Sequence, residues 1–174
     1  GSRLTSWALV IEPEAPLAST PDEPPARLLP TITRNAGLFG SFFTTDIVLF
    51  NPDERASADV TLSFLPSGRS HDIAATVSLS LPPLSTRALD DVVGNAFRTT
   101  GFGPVHVKAP HDVVVASRIE TTKAGGGAYG LLVPDVGPEG AIGALDPSAW
   151  LVPALRPGSS RVNVGFVEIT GEAA

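Results

Sequence analysis

Alternating apolar and polar residues run through most of the chain after residue 27. In residues 58–65 and 75–81 the two classes alternate strictly, which is typical of strands with one buried and one solvated face. Residues 44–50 form a β-branched and aromatic run, as a buried strand does. Further strands are predicted at residues 28–30, 104–121, 128–133, 150–152 and 161–169. The pattern predicts an all-β, antiparallel β-sandwich of eight or more strands.

Residues 104–121 have the pattern of a β-hairpin. Val107 is expected opposite Val115, with residues 110–112 as a three-residue loop. The apolar residues of the two strands share one face only if the numbers of the paired residues add up to an even number, as they do here. The solvated face would then collect four polar side chains, His106, Lys108, Arg118 and Glu120. In the separate strand predicted at residues 28–30, Pro30 is expected to be the last residue, because proline has no N–H to donate to a neighbouring strand.

Helix is predicted only for residues 89–97, where Asp90 or Asp91 could cap the first turn. Gly94 weakens this segment, so at most one short helix is expected. The whole chain of 174 residues contains 17 Gly and 17 Pro. Because both residues disfavour helix interiors, a large helical bundle is excluded.

The chain divides into three parts by composition. Residues 1–27 combine a short apolar strand with a Pro-rich linker, residues 28–135 form a β-sandwich unit, and residues 136–174 begin a partial second unit. Residues 151–153 (LVP) match residues 28–30 (LLP), and residues 164–167 match residues 47–50. We expect the last strands to complete the sandwich, either within the chain or between chains as a strand-exchange homo-oligomer.

Several of these motifs resemble an uncharacterised extracellular β-sandwich repeat of large secreted bacterial proteins. The resemblance covers roughly residues 28–135 and is carried by Thr45, Asp46, Asn51, Pro52, Leu81, Pro82, Pro83, Asp90, Ser117, Arg118, Tyr129, Gly130 and Pro134. A looser likeness, within residues 75–120, is to the sensory rhodopsin transducer family, which is also a small β-sandwich. Both imply a fold, and an extracellular or cell-surface location for the first, but neither supplies a catalytic motif.

Charge and composition exclude several classes of partner. The formal net charge is −6 and the basic residues are scattered, so no positive stripe for nucleic acid is present. No stretch reaches the roughly 20 apolar residues that span a bilayer, so membrane insertion is not expected. The absence of Cys excludes disulfides, thiolate metal sites and a cysteine nucleophile.

No catalytic, cofactor-binding or metal-binding residue is assigned. His71, His106 and His111 do not fall at metal-ligand spacing, although a zinc site made by His71 or His111 with distant carboxylates stays open. There is no G-x-S-x-G nucleophile motif. The acidic pair at residues 90–91 is interpreted as a helix cap and the pair at residues 53–54 as part of a turn.

Four side chains are candidate ligand or partner contacts. Arg118 ends an apolar strand near Glu120, so it forms either a cross-strand ion pair or a ligand contact. His106 lies on a predicted solvated face. Phe39 and Phe42 lie in a Gly-rich loop, where we expect them to pack over the end of the sandwich. Their exposure would instead indicate a partner site.

These observations favour a non-catalytic extracellular structural or protein-interaction module of a larger bacterial protein, acting on a protein or cell-surface partner. The alternative is a carbohydrate- or small-ligand-binding β-sandwich module, for which Trp7, Tyr129 and Trp150 are the available aromatic residues. A third class, an accessory domain of a secreted enzyme, is less favoured because no catalytic motif is present.

Overall fold

The computed structural model describes residues 27–68, 75–122, 127–137 and 140. Eight strands lie in this part of the chain: β1 Arg27–Ala36, β2 Phe42–Phe50, β3 Ala58–Phe64, β4 Ala75–Leu81, β5 Thr86–Leu89, β6 Gly101–Lys108, β7 Val114–Thr122 and β8 Ala128–Pro134. A 3-10 turn at Leu38–Gly40 and a helix α1 at Val92–Asn95 complete it. All strand pairs are antiparallel. The predicted all-β, antiparallel fold with one short helix within residues 89–97 is confirmed.

The strands form one continuous sheet in the order β4-β3-β6-β1-β2-β7-β8, with β5 also paired to β2. β1 joins its two parts, because residues 27–34 pair with β6 and residues 35–36 pair with β2. We call β4, β3, β6 and β1 the first sheet portion, and β2, β5, β7 and β8 the second sheet portion. Among the described strands, β4 and β8 are the two ends of this order.

One hydrophobic core takes side chains from both portions. Its buried members include Leu29, Leu62, Phe64, Val105 and Val107 from the first portion, and Ile47, Leu49 and Val115 from the second. The rings of Phe64 and Phe97 stack within it, with centroids 5.4 Å apart. A shared core is what the predicted sandwich requires. Because strand pairing runs through β1, the two portions belong to a single sheet, and face-to-face packing of two separate sheets stays a prediction.

The predicted hairpin between Val107 and Val115 is wrong. Val107 on β6 lies opposite Leu62 of β3 and Arg27 of β1, whereas Val115 on β7 lies opposite Leu49 of β2. The segment between β6 and β7 therefore carries the chain from one sheet portion to the other. Alternation correctly indicates that both valines face the core, but it does not specify which strand each one pairs with.

Pro30 lies inside β1 instead of ending it. The pairing of β1 with β6 changes register between Leu29 and Ile32. Proline has no N–H to donate, and strands accommodate it at such irregularities. The strand therefore continues past Pro30 to Ala36.

Residues 86–89 form strand β5, whereas Leu89 was expected to begin the helix. Leu89 pairs with Ile47 of β2, and α1 begins only at Val92. Both Val92 and Val93 are fully buried, so the helix is held by its contact with the core rather than by its length.

After β8 the chain returns to β1. Val136 and Leu28 exchange two backbone hydrogen bonds of 2.7 and 2.8 Å. The predicted half-repeat at residues 151–153 and 164–167, and the linker within residues 1–26, lie outside the described residues. So do Trp7, His71 and Trp150.

Candidate interaction surface

Arg118 lies on the outward face of the second sheet portion. It is opposite Asp46 across the β2–β7 ladder, and its Nη2 atom is 3.5 Å from Asp46 Oδ2 and 2.7 Å from Glu120 Oε2. Its side chain is 58% exposed, so solvent screens these ion pairs and each contributes about 0–1 kcal/mol to stability. The structure therefore places Arg118 in two ion pairs, the shorter one with Glu120 on its own strand and the longer one across the strands with Asp46.

The same carboxylate connects this pair to helix α1. Asp46 Oδ1 accepts a 2.9 Å hydrogen bond from the backbone N–H of Asp91. Asp91 in turn caps α1, because its Oδ1 accepts from the N–H of Gly94, while its Oδ2 lies 2.8 Å from Arg34 Nε. These contacts hold Asp91 in the left-handed region, at φ 41° and ψ 58°. Of the two predicted caps, Asp91 is the one observed.

Arg34 extends the contacts to an aromatic ring. Its guanidinium carbon is 5.3 Å from the centroid of Phe42, within the range of a cation–π interaction. Phe42 is 40% exposed, so the other side of its ring remains accessible. We call the five charged residues Arg34, Asp46, Asp91, Arg118 and Glu120 the arginine network. It joins two of the candidate contacts, Arg118 and Phe42, in one chain of interactions.

Phe39 projects from the turn between β1 and β2, residues 37–41, which we call the Phe39 turn. The backbone N–H of Gly37 donates to the carbonyl of Ser41, and Ser41 Oγ donates to the carbonyl of Leu38. Phe39 itself has φ 57° and ψ 34° and is 96% exposed, and Leu38 beside it is 73% exposed. The expectation that Phe39 packs over the end of the sheet is wrong, since this closed turn directs it outward.

Glycine is required at the base of this turn. A Cβ atom at Gly37 would lie 2.4 Å from the ring of Phe43 and 2.3 Å from Ser41 Oγ. Gly37 thus lets the Phe43 ring pack directly against the turn backbone. Phe43 is half-buried, so of the three clustered phenylalanines only Phe39 and Phe42 are available to a partner.

The structure does not bring His106 to this surface. His106 is half-buried on β6 in the first sheet portion, opposite Ser63 of β3 and Leu28 of β1. In the strand order β1 and β2 separate it from β7 and Arg118. Its predicted grouping with Arg118 depended on the β6–β7 hairpin and is wrong for the same reason.

Asn51 is a buried polar junction whose role the sequence analysis missed. Its Nδ2 donates to the carbonyls of Ala56, Leu81 and Pro82, and its Oδ1 accepts from the N–H of Asp53 and from His111 Nε2 at 2.9 Å. Because an amide oxygen only accepts, the hydrogen of the His111 bond belongs to Nε2, and the two N–H groups of Asn51 Nδ2 are shared among the three carbonyls. His111 thus has a structural partner. The available signal was Asn-Pro directly after a buried strand.

No metal centre forms in the part of the chain that the structure describes, where no three His, Asp or Glu side chains converge on one point. In the same residues, no helix is long and apolar enough to cross a membrane. The carboxylates of the arginine network are instead occupied by guanidinium groups and backbone N–H donors.

Comparison with known proteins adds little to this picture. No protein-family model matches the chain, and the search of curated proteins found no match. A similar solved structure is the crystal structure of Thermotoga maritima 1070, with 9% identity, a TM-score of 0.43, and coverage of 64% of this chain and 94% of that chain. A likeness at this level carries no argument about function, so the site must be interpreted from its own geometry.

Proposed function

We propose that this chain is a non-catalytic protein-interaction module that binds its partner through the Phe39 turn and the adjoining outward face of the second sheet portion. The partner is a protein with an apolar pocket able to receive an aromatic ring. The extracellular or cell-surface location, the place within a larger bacterial protein and the repeat family are part of the same proposal, and they rest on the motif resemblance alone.

The observation that carries the proposal is the exposure of Phe39. A phenylalanine ring that is 96% exposed leaves nearly all of its apolar surface in water. Burying such a side chain is worth about 1.5–3 kcal/mol, which the isolated chain does not gain. Aromatic residues placed this way are common anchors of protein interfaces, where they fill a pocket on the partner.

The backbone at Phe39 supports the same conclusion. A non-glycine residue in the left-handed region costs about 1–2 kcal/mol relative to ordinary helical backbone. Local strain of this kind is found preferentially at functional sites. The turn therefore holds an apolar ring outward at a conformational cost, and none of the described residues offsets that cost by covering the ring.

The arginine network provides a firm polar border to this apolar point. Arg34 stacks on Phe42, and Asp91 fixes Arg34 by a 2.8 Å ion pair. Arginine is enriched together with aromatic residues at interface centres, because its planar group can stack and donate hydrogen bonds at once. The border residues are prearranged, so little side-chain entropy is lost when a partner binds.

The small-ligand alternative has one observation in its favour. A shallow depression of about 280 Å³ lies between β5 and α1, lined by Ala88, Leu89, Asp90, Asn95 and Ala96. Tyr129 is 67% exposed, as a sugar-stacking residue would be, but it lies on β8 and does not line this depression.

The experiment compares Phe39→Ser with Leu84→Ser in the whole chain. Leu84 is a matched control because it is also an exposed apolar residue with positive φ, at 59% exposure and φ 52°, in the turn between β4 and β5. Immobilised wild-type protein and both variants are exposed to surface and secreted proteins of the source organism, and captured proteins are identified by mass spectrometry. We expect a protein retained by wild type and by Leu84→Ser and lost with Phe39→Ser.

Equal capture by all three chains would contradict the proposal. Retention of glycans instead of protein, abolished by Tyr129→Ala and unaffected by Phe39→Ser, would favour the carbohydrate-binding alternative. Circular dichroism of each variant shows whether the fold is retained, so that a loss of capture is assigned to the surface itself.

A further inference from the structure

Among the strands that the structure describes, β8 lies at one end of the sheet, and its side chains are apolar on both faces. It reads Ala-Tyr-Gly-Leu-Leu-Val-Pro and contains no charged residue. Pairing with β7 places Leu131 opposite Ile119 and Val133 opposite the buried Ser117, on the core side of the sheet. Val133 is 7% exposed, but Leu131 is 64% exposed and Tyr129 67%. The core side of β8 is therefore covered only at one end.

The opposite end of the sheet is built differently. β4 alternates strictly, with exposed Thr76, Ser78 and Ser80 between half-buried apolar residues. An uncharged, apolar strand at the end of a sheet is a template for pairing with another strand, and natural proteins usually protect such strands with charge or proline. β8 has proline only at its last position, and β4 has neither charge nor proline, so the two strands differ in the polarity of their outward side chains.

We propose that a second copy of this chain adds antiparallel to β8 about a two-fold axis through Leu131. The sheet would then continue from β7 and β8 of one copy into β8 and β7 of the other. This inference rests on the edge of β8 and not on the exposure of Phe39, so it does not depend on the proposed function, although Leu132 of β8 lies on the same outward face as Arg118. Homodimers of this symmetry use the same patch on both copies, which must therefore be self-complementary.

The side chains of β8 are self-complementary in the register that pairs all seven residues. With the axis through Leu131, Gly130 lies opposite the partner's Leu132, so the residue without a side chain meets a large one. Tyr129 lies opposite the partner's Val133, and aromatic–β-branched pairs of this kind stabilise antiparallel sheets. The exposed side chains of Tyr129 and Leu131 each gain a cross-strand side chain, and Leu132 lies against the partner backbone at Gly130.

Charge does not oppose this arrangement. On the outward face Arg118 shares a row with Leu132, and Glu120 shares a row with Gly130. The two-fold register joins these rows, so Arg118 and the partner's Glu120 lie three strand spacings, about 14 Å, apart. Their attraction is screened at that distance, and no like charges share a row. Arg118 already leans toward β8, because its Cδ lies 3.6 Å from the position of a Gly130 Cβ atom.

Cysteine cross-linking tests the register directly, because the chain has no Cys of its own. Leu131→Cys places one thiol of each copy at the axis. Directly opposed Cβ atoms of antiparallel strands are about 4.5–5.5 Å apart, next to the ~3.5–4.5 Å range of a disulfide. Ser78→Cys, at the centre of the seven-residue β4, is the matched control. We expect a covalent dimer, by oxidation or with a short bis-maleimide, for Leu131→Cys only.

Light scattering of the uncross-linked proteins gives the second measurement. We expect wild type and Ser78→Lys to reach twice the 18.0 kDa of one chain with rising concentration, over roughly 1–100 µM for a small interface. Leu131→Lys should stay at 18.0 kDa while keeping its circular dichroism spectrum. The inference would be overturned if wild type kept the mass of one chain at all concentrations and Leu131→Cys formed no covalent dimer. That result would mean that another part of the chain, or a different protein, covers β8.

Discussion

The two portions of the sheet differ in the side chains that they expose to solvent. On β3 and β4 of the first portion the outward residues are polar, five with hydroxyl groups and one, Asp59, with a carboxylate. Thr61 and Ser78 pair across the strands at 3.2 Å. The second portion and its Phe39 turn carry eight of the ten large apolar side chains that are exposed among the described residues. Leu38 and Phe39 lie in the turn, and Phe42, Val48, Val114 and Leu132 lie on the outward face. Tyr129 and Leu131 lie on the part of the core side of β8 that is left exposed.

The difference separates folding from recognition. Water solvates the polar side chains on the outward face of β3 and β4, so this face gains no free energy from burial against a partner. Scattered exposed apolar residues are ordinary, but their concentration on one portion is typical of an interaction site. If the exposed side chains of the second portion serve recognition, then their removal should leave the stability of the fold nearly unchanged.

The largest expected contrast is between two leucines truncated in the same way. Leu62→Ala removes a fully buried core side chain on β3 and should lower the free energy of unfolding by about 2–5 kcal/mol. Leu132→Ala removes a side chain that is 67% exposed on β8 and should change it by less than about 0.5 kcal/mol. Urea unfolding of both variants measures this. Comparable losses would show that Leu132 is part of the folding core.

The regular strands were the predictable part of this fold. β3 and β4 were located from strict alternation, because each has one face against the core. The pairing of β6 was not predictable, since Val107 would face a core equally well beside Val115 or beside Leu62. Period-two patterning specifies faces, whereas strand neighbours depend on contacts between distant parts of the chain.

The second largest effect is expected at Asn51, whose buried amide links three loops around the core. Asn51→Ala leaves carbonyl groups at Leu81 and Pro82 without their donor and should destabilise the chain by about 2–3 kcal/mol. Asn35→Ala is the control, because Asn35 is exposed and bonds only its neighbour's N–H. Thermal unfolding of the two variants measures this difference. Equal midpoints would show that the hydrogen bonds of Asn51 do not stabilise the fold.

A smaller effect is expected at the helix cap that supports the arginine network. Asp91→Ala removes the acceptor for Gly94 and the partner of Arg34, and should cost about 1 kcal/mol. Asp59→Ala, an exposed acidic residue on β3, should change stability by less than about 0.5 kcal/mol. Chemical unfolding provides both values. No difference between the variants would mean that the cap does not stabilise the surface.

The smallest expected effect is on how the free energy of unfolding depends on pH in the acidic range. Backbone N–H groups of Ala56 and Arg55 donate to Asp53 and hold its pKa below the ordinary value of 3.8. A depressed pKa contributes stability that is present above 3.8 and is lost as the pH falls through the folded-state value. Asp53→Asn should therefore flatten a shallow acid-side decline in stability. Unfolding curves recorded through this pH range measure it, and an unchanged slope would assign the decline to other carboxylates.

The candidate site was only partly predictable from sequence. Arg118, Phe39 and Phe42 were singled out as residue types that bind partners, but the outward direction of Phe39 depends on a left-handed backbone that no apolar pattern encodes. Asp46 and Arg34 were missed because their partners lie on other strands and on the helix cap. The exposure of Leu131 was not predictable, since an apolar strand has the same sequence pattern whether or not its face is covered.

The most direct test is the affinity of the purified partner for wild type, Phe39→Ser and Leu84→Ser, measured by isothermal titration calorimetry. The account predicts that Phe39→Ser weakens binding by about tenfold or more, equivalent to at least 1.4 kcal/mol, while Leu84→Ser stays within about twofold of wild type. Equal dissociation constants for the three chains would contradict the assignment of the Phe39 turn as the binding surface.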